Sequence, residues 1–129
     1  MTLSQRDRLS IMEVKAFLDE HYPKEITIRS LSQRVGFNPL KLQMGFRKMY
    51  DRPIYTYLTH LRMKTATELL TGSELSIKEI AAACGYNSSS DFTKLFKKYH
   101  TQSPKNYRST HLTEDVYTIS QLKYTNTQI

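Results

Sequence analysis

Lysine and arginine side chains are concentrated in two separate windows of this sequence. Side chains of this type and spacing could bind an anionic partner. Residues 36–64 carry six basic side chains against one acidic one, and residues 91–108 carry five against one. The whole chain has a formal net charge of +7. Such a balance calls for an anionic partner, with nucleic acid and anionic membrane surfaces as the two candidates. The basicity is therefore local, and it occurs twice.

Patterns that would support catalysis or metal binding are missing from the sequence. It contains no nucleophile with an adjacent base, no paired carboxylates on one face and no glycine loop that could cradle a phosphate. The four histidines are scattered without metal-ligand spacing, and the single cysteine, Cys84, cannot form an intramolecular disulfide. We therefore predict no enzymatic activity, no metal site and no cofactor, and we interpret Cys84 as a small buried hydrophobe.

The chain length and the apolar pattern limit the architecture and the location. A chain of 129 residues fits one compact all-helical domain or two small subdomains. No apolar run approaches the roughly 20 residues that a membrane span needs, and no signal peptide pattern is present. We expect a cytoplasmic protein without a membrane span.

Helix start and stop signals divide the chain into seven predicted helices. Thr27 and Asn38 are expected to cap the second and third helices, Ser76 with Glu79 forms a capping box for the fifth, and Asn87 is expected to cap the sixth. The fourth helix is the longest, and its predicted apolar stripe runs from Ile54 through Tyr57, Leu58 and Leu61 to Thr65 and Leu69. The predicted helices cover residues 9–22, 28–35, 39–50, 53–71, 77–85, 88–100 and 103–108.

An internal repeat relates the two basic windows. The segment IRSLSQRVGFN from Ile28 matches IKEIAAACGYN from Ile77, and after a one-residue offset FRKMYDRPIYTY from Phe46 matches FKKYHTQSPKNY from Phe96. Each copy contains a short helix, a turn of glycine, aromatic residue and asparagine, and a second, basic helix. This order is typical of a helix-turn-helix, in which a short turn sets two helices at a steep angle. We expect Leu42, Phe46, Phe92 and Phe96 to hold the buried sides of the second helices.

Two such units in one chain need a spacer if both are to reach one DNA duplex. Consecutive major-groove faces of B-DNA lie about 34 Å apart. A helix from Pro53 to Leu70 would be about 27 Å long at 1.5 Å per residue, and the turns at its ends add to that length. One monomer is therefore expected to place two recognition helices in adjacent major grooves and to read an asymmetric site.

With these features, the sequence resembles the DNA-binding domain of the AraC/XylS family of bacterial transcriptional regulators over residues 8–109. The most specific stretch is SIKEIAAACGYNSSSDFTKLFKKYHTQSPKNYR, which begins at Ser76. The linker element RMKTATELL and the tyrosines Tyr57 and Tyr107 also fit. The resemblance implies an all-α fold, in which seven helices form two helix-turn-helix subdomains joined by a long central helix. The subdomains would cover residues 8–52 and 72–109, with the linker helix at 53–71. Residues 110–129 lie beyond the shared region; we expect a loose extension, and the alternative is a strand that pairs with another segment.

Position in the family motif implies which side chains contact DNA. The base-contacting side chains would be Leu40, Lys41, Gln43, Met44, Ser89, Ser90, Thr93 and Lys94. Lysine suits guanine acceptors, glutamine suits adenine, and leucine or methionine can lie against a thymine methyl. Phosphate contacts are expected from the side chains Arg47, Lys48, Lys97 and Lys98, and from the helix-start amides that follow Thr27 and Ser76.

Two residues of the first recognition helix depart from what is usual. Met44 stands where many relatives have a basic residue, so that direct readout by this helix is expected to be weaker or more apolar. Gly45 lies inside the same helix, where glycine costs about 1 kcal/mol relative to alanine. Close backbone packing explains Gly45, and so does membership of a subgroup of the family with a similar sequence context.

These observations predict a sequence-specific regulator that binds double-stranded promoter DNA, an activator by family resemblance, with RNA polymerase as a second partner. The chain would act as a monomer, either as a complete regulator or as the C-terminal module of a longer protein whose missing part senses a ligand or dimerises. The competing hypothesis is a basic adaptor that binds an acidic protein or an anionic membrane surface. RNA binding is a third and weaker hypothesis, because the narrow major groove of A-form RNA does not admit a recognition helix.

Overall fold

The computed structural model describes residues 2–111, and these residues form helices without any strand. The predicted all-α fold is confirmed. The predicted extension at 110–129 lies outside the described residues from position 112 onward. The helices are α1 (Gln5–His21), α2 (Ile28–Val35), α3 (Pro39–Tyr50), α4 (Ile54–Gly72), α5 (Ile77–Ala83), α6 (Ser89–His100) and α7 (residues 104–111).

The chain divides into two compact units within α4. The first unit comprises Met1–Lys64 and the second comprises Thr65–Ile129. Each unit contains one pair of helices joined by a glycine turn, α2 with α3 in the first and α5 with α6 in the second. The subdomain limits predicted at 52 and 72, with a separate linker helix between them, stay a prediction.

Side-chain caps begin α2, α3 and α5 at the predicted residues, whereas α1 begins at Gln5, four residues before its predicted start, because Ser4 caps it. The amides of Ser30 and Lys41 donate to Thr27 Oγ1 at 3.0 Å and to Asn38 Oδ1 at 2.8 Å. Ser76 and Glu79 form the predicted capping box of α5. These caps satisfy amides that have no partner inside the helix.

The cap predicted at Asn87 is wrong, because Ser88 caps α6. The amide of Asp91 donates to Ser88 Oγ at 3.2 Å. The second turn is one residue longer than the first, so the residue that corresponds to Asn38 is Ser88. The one-residue offset seen in the repeat therefore falls in this turn.

The two units share left-handed backbone conformations at equivalent positions of the repeat. Gly36 and Gly85 end the first helix of each pair with φ values of 71° and 99°. Asp51 and Thr101 end α3 and α6 with φ values of 58° and 64°, and each donates its amide to the carbonyl four residues earlier at 2.8 Å. Left-handed backbone is uncommon for residues other than glycine, so its recurrence at Asp51 and Thr101 marks a shared helix-ending motif.

The core of the first unit anchors the inner face of α3. Leu42 and Phe46 are fully buried and belong to one cluster with Ile11, Leu18 and Leu31. Burial of each large apolar side chain contributes about 1.5–3 kcal/mol. The prediction that Leu42 and Phe46 form the buried side of the recognition helix is confirmed.

The second unit buries α6 in the same way, through Phe92 and Phe96, which have no exposed surface. Cys84 is fully buried as predicted. The predicted stripe of α4 is only partly right. Ile54 and Leu58 are buried and its other members are partly covered, whereas the buried positions farther along are Met63, Ala66 and Leu70. The stripe assumed a single core along the helix, but α4 contributes to two units.

Two arginines of the basic windows have structural roles at helix C-termini. Arg62 donates from Nε to the Tyr22 carbonyl at 2.8 Å and from Nη2 to the Lys24 carbonyl at 2.9 Å. Arg108 donates from Nε to the Leu70 carbonyl at 2.9 Å. Carbonyls at helix ends lack partners inside the helix, and cations there are favoured by the helix dipole. Part of the local basicity therefore serves the fold.

Gly45 lies where α3 meets α1. A Cβ atom added to Gly45 would lie 2.5 Å from Cδ1 of Ile11, and Ile11 itself is fully buried. The close-packing explanation of this mid-helix glycine therefore holds.

We predict that Gly45→Ala lowers the free energy of unfolding by about 1 kcal/mol, although alanine is the better helix former, because overpacking costs about 1–3 kcal/mol. In an Ile11→Val background, which lacks the clashing Cδ1 atom, the same change should raise it by about 0.5–1 kcal/mol. Urea denaturation of the four proteins in the cycle measures this coupling. Stabilisation by Gly45→Ala in the wild-type background would contradict the packing argument.

His100 is a partly buried histidine at the end of α6. Its Nε2 atom is buried and has no hydrogen-bond partner among the described residues. Its ring lies 4.4 Å from that of Phe96 and 5.4 Å from that of Tyr107, which stacks at 3.9 Å on His111. Burial, and secondarily the charge of His111, lower the pKa of His100 below its ordinary value.

This lowered pKa predicts acid sensitivity of the second unit. Between the folded-state pKa and the ordinary value of about 6.5, the unfolded chain binds more protons, so stability falls as the pH drops below about 6.5. The variant His100→Tyr introduces the residue found at the equivalent position of the first unit, Tyr50. Its melting temperature should fall less than that of the wild type between about pH 7.5 and about pH 5.5. Calorimetry at both pH values tests this, and equal losses in the two proteins would refute it.

Candidate nucleic-acid interface

The burial of Leu42 and Phe46 directs the opposite side of α3 into solvent. Leu40, Gln43, Met44 and Arg47 follow one another at intervals of three and one residues and so share one face of the helix. Leu40 is 65% exposed and Met44 is 47% exposed. This outward face brings together three of the predicted base-contacting residues with one of the predicted phosphate-contacting residues.

The second unit presents the same face on α6, fifty positions later in the sequence. Ser90, Thr93, Lys94 and Lys97 correspond to the four outward residues of α3, and all but the half-buried Thr93 are exposed. Ser89 is exposed at the first position of the helix, and Lys48 and Lys98 are exposed beside the two faces. The two faces thus occupy equivalent positions but differ in chemistry: the first unit has two apolar residues with a glutamine and an arginine, and the second has two hydroxyl residues with two lysines.

Lys41 has an intramolecular partner that the sequence did not reveal. Its Nζ atom lies 3.1 Å from Oδ1 of Asp7, near the start of α1, and 4.4 Å from the centre of the Phe37 ring. The hydrogen bond from Lys41 and then that from the Ser4 amide lower the pKa of Asp7. The Lys41 side chain is therefore directed toward Asp7 of α1. Its predicted contact with a base requires exchange of Asp7 for the DNA.

The two predicted helix-start sites for phosphate differ in charge. At α2, the amide of Ser30 donates to Thr27 and no acidic residue occurs in the first turn. At α5, a carboxylate oxygen of Glu79 accepts from the Ser76 amide at 3.3 Å. An anionic side chain already occupies that end of the helix dipole, so the start of α2 suits a phosphate better than the start of α5.

An open depression of about 540 Å³ lies beside the outward face of α3. The α3 residues Leu40, Gln43, Met44 and Arg47 line it, together with Ile28 of α2 and Tyr55 of α4. Tyr55 is 69% exposed and was missed by the sequence reasoning. The repeat could have indicated Tyr55 as a candidate, because the equivalent residue of the second unit, Lys105, belongs to the second basic window.

Other kinds of site find no support in the described part of the chain. Residues 2–111 bring no three histidine, cysteine, aspartate or glutamate side chains together in a group that could hold a metal ion. Each helix in that range is too short or too polar to cross a lipid bilayer.

The chain is similar in sequence to known regulators of transcription. The sequence model of the helix-turn-helix domain family matches residues 31–110. An uncharacterized HTH-type transcriptional regulator of Escherichia coli strain K12 is 33% identical over 105 residues, which are 81% of this chain and 37% of that protein. The melibiose operon regulatory protein of the same strain is 28% identical over 83% of this chain and 35% of its own length. The chain thus spans little more than a third of these relatives.

Solved structures match over most of the chain. The C-terminal domain of the two-component response regulator yesN from Fusobacterium nucleatum is 32% identical with a TM-score of 0.73, over 75% of this chain and 95% of that one. The DNA-binding domain of AdpA, a global transcriptional factor solved in complex with a target DNA, is 25% identical with a TM-score of 0.77, over 81% of this chain and 95% of that one. The chain belongs to the helix-turn-helix family of AraC/XylS-type DNA-binding domains.

Proposed function

We propose that this chain regulates transcription by inserting α3 and α6 into adjacent major grooves of a promoter. The observation that carries the proposal is the pair of outward faces, at Leu40–Arg47 and Ser90–Lys97, each fixed by two buried side chains on the same helix. A major groove about 12 Å wide admits a helix, and side chains on its exposed face can then reach the base edges. Two such faces in one chain would let a monomer read an asymmetric site.

Each predicted contact has a chemical role in this proposal. Gln43 would pair with adenine, and Lys94 would pair with guanine acceptors. Ser89, Ser90 and Thr93 would offer hydroxyl groups to base edges or to phosphates. Arg47, Lys48, Lys97 and Lys98 would neutralise phosphates on the groove walls. Lys41 would contribute only after release from Asp7.

A basic adaptor for an acidic protein or a membrane surface is the weaker hypothesis. An adaptor needs positive charge but no repeated helix pair, whereas this chain repeats the turn, the helix ends and the exposed face. Gln43 and Thr93 would then be free to vary, because they carry no charge.

The wider role of the protein is also a proposal. The relatives include regulators of the melibiose and xylose operons. By analogy we propose that this chain acts in the cytoplasm as an activator and contacts RNA polymerase while bound to promoter DNA. The described units act as a monomer in this scheme, and dimerisation would need a further domain.

The first test is selection from random DNA duplexes by the purified chain at near-physiological salt, read by sequencing. We expect two short motifs whose centres lie about 10 base pairs apart, one helical turn of B-DNA. Recovery of a single motif would contradict the two-helix mechanism, and the absence of any enrichment would favour the adaptor.

Base contacts and phosphate contacts are predicted to respond differently to substitution. Gln43→Ala should lower affinity for the selected site by about 1–3 kcal/mol and relax the preference at one base position, while the salt dependence stays the same. Lys97→Gln should weaken binding to all sequences alike and make the slope of log K against log salt shallower by about 0.9.

Fluorescence anisotropy at several salt concentrations, with the selected duplex and a scrambled one, measures both effects. The two variants serve as controls for each other. The assignment fails if Gln43→Ala changes the slope, or if Lys97→Gln alters the base preference.

A further inference from the structure

The repeat allows each exposed residue of the first unit to be compared with its counterpart in an equivalent fold. Leu40, Met44 and Tyr55 are large, apolar or aromatic and 65%, 47% and 69% exposed. The second unit has Ser90, Lys94 and Lys105 at the same positions, and these are also exposed. Serine and lysine therefore satisfy the fold at these positions.

The apolar side chains of the first unit thus serve something other than folding. Adjacent exposed apolar groups are costly in water, and where they cluster they usually mark a binding surface. Here they line one depression, together with Gln43 and Arg47. A ligand that fits must offer an apolar group beside hydrogen-bonding and anionic groups.

We propose that the first unit reads thymine through its 5-methyl group, which packs in the depression between Leu40, Met44 and Tyr55. This inference rests on the proposed DNA binding and deepens it. The methyl of thymine is the apolar group that a base edge exposes in the major groove, and the phosphates flank it. Gln43 is placed to pair with adenine next to it, and Arg47 to neutralise a phosphate. The second unit has Ser90, Lys94 and Lys105 in place of these three side chains, which leaves only the methyl of the half-buried Thr93 for such a contact.

Replacement of thymine by uracil tests the proposal, because it removes only the methyl group and keeps the base pair. In the duplex recovered by selection, each thymine is replaced in turn and the affinity of the intact chain is measured. We expect a loss of about fourfold at one or more thymines of one half-site, which is the factor that burial of a methyl group supplies. Thymines of the other half-site should give less than a twofold change.

A matched variant separates contact with the protein from any effect of uracil on the DNA itself. The double variant Leu40→Ser, Met44→Lys carries the residues that the second unit uses at these positions, and its thermal melt verifies the fold. It should bind thymine and uracil duplexes equally in the half-site that was sensitive, and leave the other half-site unchanged.

The possible outcomes decide between the proposals. Sequence-specific binding that is indifferent to uracil at every position, or a uracil penalty that persists in the double variant, would overturn methyl recognition while DNA binding stands. Failure to bind any duplex would instead reject the proposed function. If the double variant keeps the wild-type affinity and base preference, the depression serves another partner, such as a protein, and the inference is wrong.

Discussion

The rotation of each recognition helix about its own axis is the constraint on which the rest of this structure depends. Each of these helices buries two side chains that are four residues apart. They are Leu42 and Phe46 in α3, and Phe92 and Phe96 in α6, and none of them has exposed surface. An α-helix completes one turn every 3.6 residues. Burial of this pair therefore leaves one defined set of positions on the opposite, exposed side of the helix. A change of one residue in this register would rotate each helix by about 100° and bring a different set of side chains to the surface. The apolar anchors therefore determine which side chains can face a ligand.

Helix punctuation made most of this fold predictable, because caps and turns are encoded within a few residues. Thr27, Asn38 and Ser76 act through hydrogen bonds to amides three positions away, which a sequence pattern can reveal. The error at Asn87 arose from a turn of different length. What could not be predicted depends on distant pairs: Asp7 meets Lys41 across 34 positions, and no periodicity encodes such a partner. The burial of His100 and the change of stripe along α4 likewise depend on tertiary packing.

The candidate site was predictable to the extent that it follows from the repeat. Aligning the two copies identified the helix, the buried pair and the basic residues, but not the environment of each side chain. Lys41 was predicted to contact a base, whereas in the structure its ammonium group pairs with Asp7. Tyr55 belongs to the start of α4, outside the motif from which contacts were inferred, yet it lines the depression beside α3. Membership of a surface depends on which elements meet there, and sequence spacing within one helix does not record that.

Different chemistry on two equivalent faces suggests a division of labour in DNA recognition. The lysines of α6 would contribute through release of counterions, a contribution that weakens as salt rises. The apolar residues beside α3 would contribute through burial of a methyl group, which salt in the physiological range hardly changes. On this view, salt-sensitive attraction comes from the lysines and arginines of both units, and discrimination that persists at physiological salt comes mainly from the apolar residues of the first. Duplication of the fold makes such a division accessible, because each copy retains its own buried anchors while its exposed face changes independently.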